Sequence, residues 1–460
     1  MPDGLDEETI SVRKIGKYQI TGELGRGGMG RVFKVMHPEI PRILAVKAFA
    51  PHPFLISAVG KEELLLMFRE EACKMASLSH PNLASVEDFS FAPEPYYTMA
   101  YHPRSLGLLM GEKGDPESPC RKLDPDSAIH FLRELLNALH CLHFYGMIHR
   151  DVKPWNLLLN DADTLILGDF GLSRLRHEVT RTPTNIKVGS PGYAAPEQEK
   201  NADSADERSD LYSAGVVFYR MLTGHFPEKK RMEKELPQPV DLWMSFLGPA
   251  LDSDPEKRHE NAKGMLRALE IVASDWTEFK EKECLFFPFR GKPLQAPEGI
   301  IGLRNTPLRT GVVGNPALSL DADSLFSPAR SFLNRFMEAC DPAVVRDETT
   351  GLLWEKSGSP FPVNRAGAED WIRAANTRAM GGERNWRFPT VPELFSLVGD
   401  TSADRPRCQQ SPMDPRQAWI WSADTRSHIS AWFVDLVRGF TAPMDRDGRC
   451  FTRAVCGPSS

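Results

Sequence analysis

No apolar stretch in this 460-residue chain approaches the roughly 20 residues that a membrane-spanning helix needs, so the sequence reads as that of a soluble protein without a membrane span. It also lacks any CxxC pair. The eight cysteines (Cys73, Cys120, Cys141, Cys284, Cys340, Cys408, Cys450 and Cys456) are scattered, which gives no zinc motif and points to free thiols in a reducing compartment. Cys450 and Cys456 lie an even number of residues apart in a strand-like stretch, hence on one face, and a disulfide between them would require a bend. A basic surplus is missing too: 56 Lys and Arg stand against 62 Asp and Glu, a net charge of −6. That balance argues against nucleic acid or an anionic membrane as the main partner. Residues 1–8 are acidic, with neither the basic start nor the apolar core of a secretory signal, so a cytoplasmic location is expected. There are no internal repeats, and no heptad supports a coiled-coil dimer.

What the chain does have is a set of side chains ordered for phosphoryl transfer. His149-Arg150-Asp151-Val152-Lys153-Pro154-Trp155-Asn156 is followed shortly by Asp169-Phe170-Gly171. That reaction needs a carboxylate to orient the attacking hydroxyl, a cation near the γ-phosphate and oxygen ligands for magnesium. Asp151, Lys153, Asn156 and Asp169 supply them. Upstream, Gly25-Arg26-Gly27-Gly28-Met29-Gly30-Arg31-Val32 lies between apparent strands at 18–24 and 32–36, and Ala45-Val46-Lys47 follows. Glycines alone would also suit a plain hairpin turn, and Lys47 alone a solvated lysine. The apolar neighbours of Lys47 favour a buried position.

Taken together these segments resemble the protein kinase family. The resemblance implies a bilobal α+β kinase fold, ATP and magnesium as cofactors, and protein serine and threonine hydroxyls as substrates. It implies that Leu24, Gly25, Arg26, Gly27, Gly28, Met29, Gly30, Arg31 and Val32 cover the nucleotide. Ala45, Lys47, Met99, Ala100, Tyr101, His102 and Leu158 would also contact it, with Met99 as gatekeeper and 100–102 as the hinge. Asp151 and Lys153 would be catalytic, and Asn156 and Asp169 would hold magnesium. Lys47 needs a glutamate partner. Residues 64–78 carry a helical stripe of Phe68, Ala72, Met75 and Ala76, which puts Glu71 on the inward side as the partner, with Glu70, aligned with Lys74 and facing solvent, as the alternative. Asp124-Pro125-Asp126 starts a further helix, with Ile129, Leu132, Leu136 and Leu139 as its buried face.

Residues 172–188 form a polar stretch in which Thr180, Thr182 and Thr184 alternate with Arg176, Arg181 and Lys187. A phosphate there could pair with Arg150 and order the loop, while an unmodified solvated loop is the alternative. Gly189-Ser190-Pro191-Gly192-Tyr193-Ala194-Ala195-Pro196-Glu197 closes it. By resemblance Ser190 sits near Asp151, Glu197 pairs with Arg258, Asp210 holds the catalytic-loop backbone, and His149 is a packed brace. Lys153 and Ser190 together are similar to serine/threonine rather than tyrosine kinases.

The remaining sequence changes character. Residues 286–327 are rich in proline and glycine and read as a linker. From about residue 335 tryptophans cluster: Trp354, Trp371, Trp386, Trp419, Trp421 and Trp432. Trp354, the Trp386-Arg387-Phe388-Pro389 run, Trp419-Ile420-Trp421-Ser422 and the ending Thr452-Arg453-Ala454-Val455-Cys456 resemble the Lcl C-terminal domain, which implies a small α+β, C-type-lectin-like fold. Its segments 401–416 and 441–448 are expected as long loops able to bind an unknown ligand or partner, or simply to be solvated. Asp445 and Asp447 are too few carboxylates for calcium. The expected division is an acidic tail 1–16, a kinase domain 17–280, a linker 281–329 and a lectin-like domain 330–460, with the kinase and lectin-like domains separate enough for each to fold alone. A second functional reading is a nucleotide-switched binding scaffold whose C-terminal domain carries the biological role.

Overall fold

In the computed structural model, residues 14–27, 29–91, 94–112, 118–169, 174–175, 190–201, 204–228, 230–286, 303–309, 320–321, 327–328, 334–339, 341–398, 413–414 and 416–457 are described. The first lobe is an antiparallel sheet with order β1-β2-β3-β4-β6-β5. Its strands are β1 (Lys14–Ile15), β2 (Tyr18–Arg26), β3 (Gly30–Met36), β4 (Ile43–Phe49), β5 (Val86–Ser90) and β6 (Tyr96–Ala100). β1 falls inside the stretch expected as an acidic tail, because Ile15 is apolar and buries itself opposite Tyr18. On β3 and β4, Val32 faces Lys47 and Lys34 faces Ala45, so these four side chains share one side of the sheet.

Helices α1 (Pro53–Val59) and α2 (Lys61–Ser77) accompany this sheet. α2 buries Leu64, Phe68, Glu71, Ala72 and Met75, the spacing of a single helical face. Ala76, expected on that stripe, is exposed, since the turn of about 100° past Met75 carries it toward solvent.

The second lobe is mostly helical. It runs through β7 (Arg104–Ser105), α3 (Leu106–Met110), α4 (Pro125–Phe144), β8 (Met147–Ile148), β9 (Leu157–Leu159), β10 (Leu165–Leu167) and β11 (Arg174–Leu175). It continues with α5 (Pro196–Lys200), α6 (Glu207–Thr223), α7 (Met232–Glu235), α8 (Val240–Ala250) and α9 (Ala262–Phe286). α4 begins where the Asp124 carboxylate accepts the Ser127 N–H at 2.9 Å, with Pro125 in the first turn. Ile129, Leu132, Leu136 and Leu139 are all buried, and α4 packs against α6 and α9.

The C-terminal domain is β-rich. After the short pair β12 (Leu320–Asp321) and β13 (Ser327–Pro328), strands β14 (Phe336–Glu338), β15 (Val344–Asp347) and β16 (Leu353–Glu355) join β20 (Val455–Cys456) in one sheet. β17 (Trp419–Thr425), β18 (Ser430–Asp435) and β19 (Phe440–Asp445) form another, with α10 (Arg365–Thr377) and α11 (Val391–Ser396) alongside. A capping box of Thr390 and Glu393 opens α11. Residues 441–445, expected within a loop, are therefore a strand paired to β18.

The second sheet is buried on both faces. Ile420, Trp432 and Val434 point into the domain's own core, with Leu394 and Phe395 of α11. The alternate residues Trp419, Trp421, Ala431, Phe433, Phe440, Ala442 and Met444 belong to an apolar cluster continuous with Leu109, Phe131 and Leu159 of the second lobe. The separate cores expected from sequence are thus joined. Nor is the stretch 281–329 a bare linker: α9 extends to Phe286, Arg304 holds both oxygens of buried Asp424 at 2.8 Å, and Arg309 bridges to Thr425.

Candidate functional site

The loop after β8 is fixed from below by Asp210 in the first turn of α6. One of its oxygens accepts the His149 N–H and meets His143 Nε2, each at 2.8 Å, and the other accepts the Arg150 N–H at 2.8 Å. Burial alone would raise the proton affinity of this carboxyl. The His143 and backbone contacts outweigh burial and hold Asp210 below the usual carboxylate range. Gln198 donates to the Arg150 carbonyl at 2.7 Å, and His149 Nε2 lies 3.1 Å from the Gly168 carbonyl, as a brace would. Arg150 (φ 71°) and Asp169 (φ 59°) both occupy the left-handed region that side chains rarely adopt.

Asp151, Lys153, Asn156 and Ser190 form one network. Asp151 Oδ2 accepts from Lys153 Nζ at 2.8 Å and from Asn156 Nδ2 at 3.0 Å, while Oδ1 accepts from Ser190 Oγ at 2.8 Å. Lys153 also reaches Ser190 Oγ at 2.8 Å. The Gly168 N–H donates to the Asn156 carbonyl at 2.9 Å, which keeps Asn156 beside the residue that precedes Asp169.

From the first lobe, Lys47 Nζ reaches Glu71 Oε1 at 2.7 Å and Asp169 Oδ1 at 3.2 Å. Burial would discharge the ammonium, but Glu71, Tyr97 and Asp169 raise its pKa well above the ordinary lysine value. In return the Lys47 charge, working against desolvation, lowers Asp169 to about 2. Tyr97 escapes sequence reasoning, yet its hydroxyl donates to Glu71 Oε1 at 2.8 Å. Its place on β6, directly opposite Lys47 on β4, is a pairing that no local spacing encodes.

The glycine-rich turn is closed by the Gly27 N–H on the Gly30 carbonyl at 2.8 Å, and Met29 lies beside it with its carbonyl accepting from Ala50. A Cβ at Gly30 would sit 2.3 Å from the Ala48 carbonyl oxygen, so only glycine fits there. Val32 and Ala45 share the face of Lys47. Arg31 does not: it is on the opposite face, paired with Glu23 across the hairpin. Arg26 stands opposite Arg31 and, like Leu24 and Gly25, is exposed. Met99 pairs with Ala45 and Ala100 with Leu44, leading into Tyr101 and His102. Burial lowers the His102 pKa. Leu158 lies under Gly168, where a Cβ would be 3.3 Å from its Cδ1. Gly28, Phe170, Gly171, Arg176, Thr180, Arg181, Thr182, Thr184, Lys187 and Gly189 lie outside the described residues.

Asn156 and Asp169 supply one amide and one ionised carboxylate, hard oxygens of the kind magnesium takes alongside water and phosphate. Outside the cleft, Arg258 grips both oxygens of Glu197 at 2.7 Å. Cys73, Cys120, Cys141, Cys450 and Cys456 are free thiols. Among the described residues no helix is long and apolar enough to cross a membrane.

Comparison with known proteins adds two matches. Residues 18–269 match the protein kinase domain, and residues 343–456 match the Lcl C-terminal domain. A probable serine/threonine-protein kinase of Clostridium perfringens is 32% identical over 277 residues, 56% of this chain and 38% of the relative. Serine/threonine-protein kinase PrkC of Bacillus subtilis is 28% identical over 275 residues, 56% of this chain and 40% of the relative. For PknL of Mycobacterium tuberculosis the figures are 32% over 278 residues, 56% and 66%. The chain thus spans well under two thirds of the length of the first two.

Proposed function

We infer that this chain, which belongs to the protein kinase family, transfers the γ-phosphate of ATP to serine and threonine hydroxyls of proteins. The observation that carries the reading is the meeting of the two lobes in one cleft: Lys47 and Glu71 from the first, Asp151, Asn156 and Asp169 from the second, joined by the 3.2 Å contact of Lys47 with Asp169. Asp151 already accepts a hydroxyl hydrogen bond, from Ser190 at 2.8 Å, and a substrate hydroxyl placed likewise would be oriented for attack and could pass on its proton. Lys153 beside it offsets negative charge developing on the transferred group. Lys47 positions the phosphates, and its grip on Glu71 ties that task to α2. Asn156 and Asp169 would hold magnesium, which neutralises phosphate charge when bound. The glycine-rich turn, with Val32 and Ala45, would cover the nucleotide, and the backbone of 100–102 would read the base.

The C-terminal domain is proposed as a binding or sensory module with a C-type-lectin-like fold and an unidentified ligand, and the proposed setting is the cytoplasm. Incubating the purified full chain with labelled ATP and a generic basic protein tests the reading. Label on serine or threonine, lost in Asp151→Asn, supports it. Nucleotide binding without transfer in the wild type would favour the switched scaffold instead.

A further inference from the structure

Lys34 has an unusual fate for a strand lysine. It lies on the cleft side of the first sheet, two residues from Val32, and its side chain is only 7% exposed. Its ammonium sits 5.4 Å from the Tyr101 ring centroid at the hinge. Both of its ion-pair partners among the described residues come from the C-terminal domain: Asp445 at 2.8 Å, and Asp447. The turn presenting them is itself ordered, with the Asp447 N–H on Asp445 Oδ1 at 3.0 Å and the Gly448 N–H on the Asp445 carbonyl at 2.9 Å.

The same domain is anchored on the other lobe. Arg438 reaches Asp163 at 3.2 Å and Arg449 reaches Asp161 at 3.5 Å, both acids lying between β9 and β10. The Arg104 guanidinium lies 3.2 Å from the Trp419 ring centroid, and that of Arg121 lies 3.9 Å from the Phe440 centroid. With the shared apolar cluster beneath them, these contacts seat β17–β19 on the second lobe. The turn at 445–447 then extends past the hinge to the first lobe.

We propose that Lys34, Asp445 and Asp447 form an interlobe clasp, by which the C-terminal domain fixes the lobe arrangement and sets the affinity of the cleft for nucleotide. Besides the covalent hinge at 100–102, the segment before β5 is tied to β10 by the Ala84 N–H on the Leu167 carbonyl at 2.9 Å and the Asn82 amide on the Leu165 carbonyl at 2.9 Å, and the clasp adds a further tie beside the hinge. The clasped arrangement is the one in which Lys47 meets Glu71 and Asp169, so the tie favours the assembled cleft. A ligand that pulled the 445–447 turn away would loosen nucleotide by the same coupling, and nucleotide would in turn oppose that ligand.

The proposal rests on the nucleotide-binding reading, and the test separates the two. Full-length wild type, Lys34→Met, Asp447→Asn, the double variant, and the charge-exchanged pair Lys34→Asp with Asp447→Lys are titrated with ADP and magnesium by calorimetry. Each single variant weakens ADP by at least about fivefold, the double variant is no weaker than the singles, and the exchanged pair regains most of the loss. Single variants within about twofold of wild type, or losses that add in full, overturn the clasp. If the wild type binds no ADP, it is the kinase reading that fails. The clasp is then judged by hydrogen exchange at β3: faster exchange in Asp447→Asn sustains it, and unchanged exchange overturns it.

Discussion

Asp151 meets the side chains of Lys153, Asn156 and Ser190, and its replacement should separate chemistry from binding. Asp151→Asn keeps the shape of the network but not its proton acceptor, so kcat should fall about 10²- to 10⁴-fold while the ADP dissociation constant stays put. Steady-state kinetics paired with calorimetry checks this, and near-wild-type turnover would sink the assignment. Lys47 and Asp169 carry a titration test. The carboxyl stands at about 2 because the Lys47 ammonium is beside it. Lys47→Met should let it climb toward the ordinary value near 3.9, read by carbon NMR of the aspartate carboxyls. The sign for stability follows. A carboxyl whose pKa falls on folding binds protons more readily in the unfolded chain, so its contribution is complete above about pH 4 and is lost as pH falls toward 2.

At the scale of elements, the first turn of α6 is what holds the loop that carries Asp151. Asp210→Ala would leave the His149 and Arg150 N–H groups buried without their acceptor, at a cost of about 1–3 kcal/mol in stability. Urea unfolding should show that loss, with a drop in kcat larger than any change in the ATP KM. A fully stable variant with normal turnover would mean that the loop is held by Gln198 and His149 instead. Much of this lobe was legible in sequence because its signals are local: the Asp124 cap, the 3.6 period that put Glu71 inward, and the glycine at position 30. Tyr97 and Lys34 were not legible, because their partners come from cross-strand register and from a distant domain. One further signal lies in the sequence. Trp419-Ile420-Trp421 and Ala431-Trp432-Phe433-Val434 are continuous apolar runs, which mark strands covered on both faces, but such runs do not say what covers them. Alternation of the buried residues between two clusters answers that question only once the chain is folded.

For the whole molecule, the shared cluster argues against a kinase fragment standing alone. A fragment ending at Phe286 would bare the Leu108 and Leu109 surface that faces Trp419 and Phe433, and would part Arg104 and Arg121 from the rings over which they lie. Calorimetry should find a single unfolding transition for the full chain, and a lower midpoint or aggregation for the fragment. Two separate transitions, one matching the fragment, would restore the picture of independent units. The distance in sequence between Lys34 and Asp445, 411 residues, also has a meaning in time. At about 5–20 residues per second, a ribosome places roughly 20–80 seconds between the two. The first lobe is therefore made long before the acids that would steady it. On the proposed clasp, a chain cut short before Asp445 lacks this tie and should hold nucleotide more weakly as well as unfold sooner.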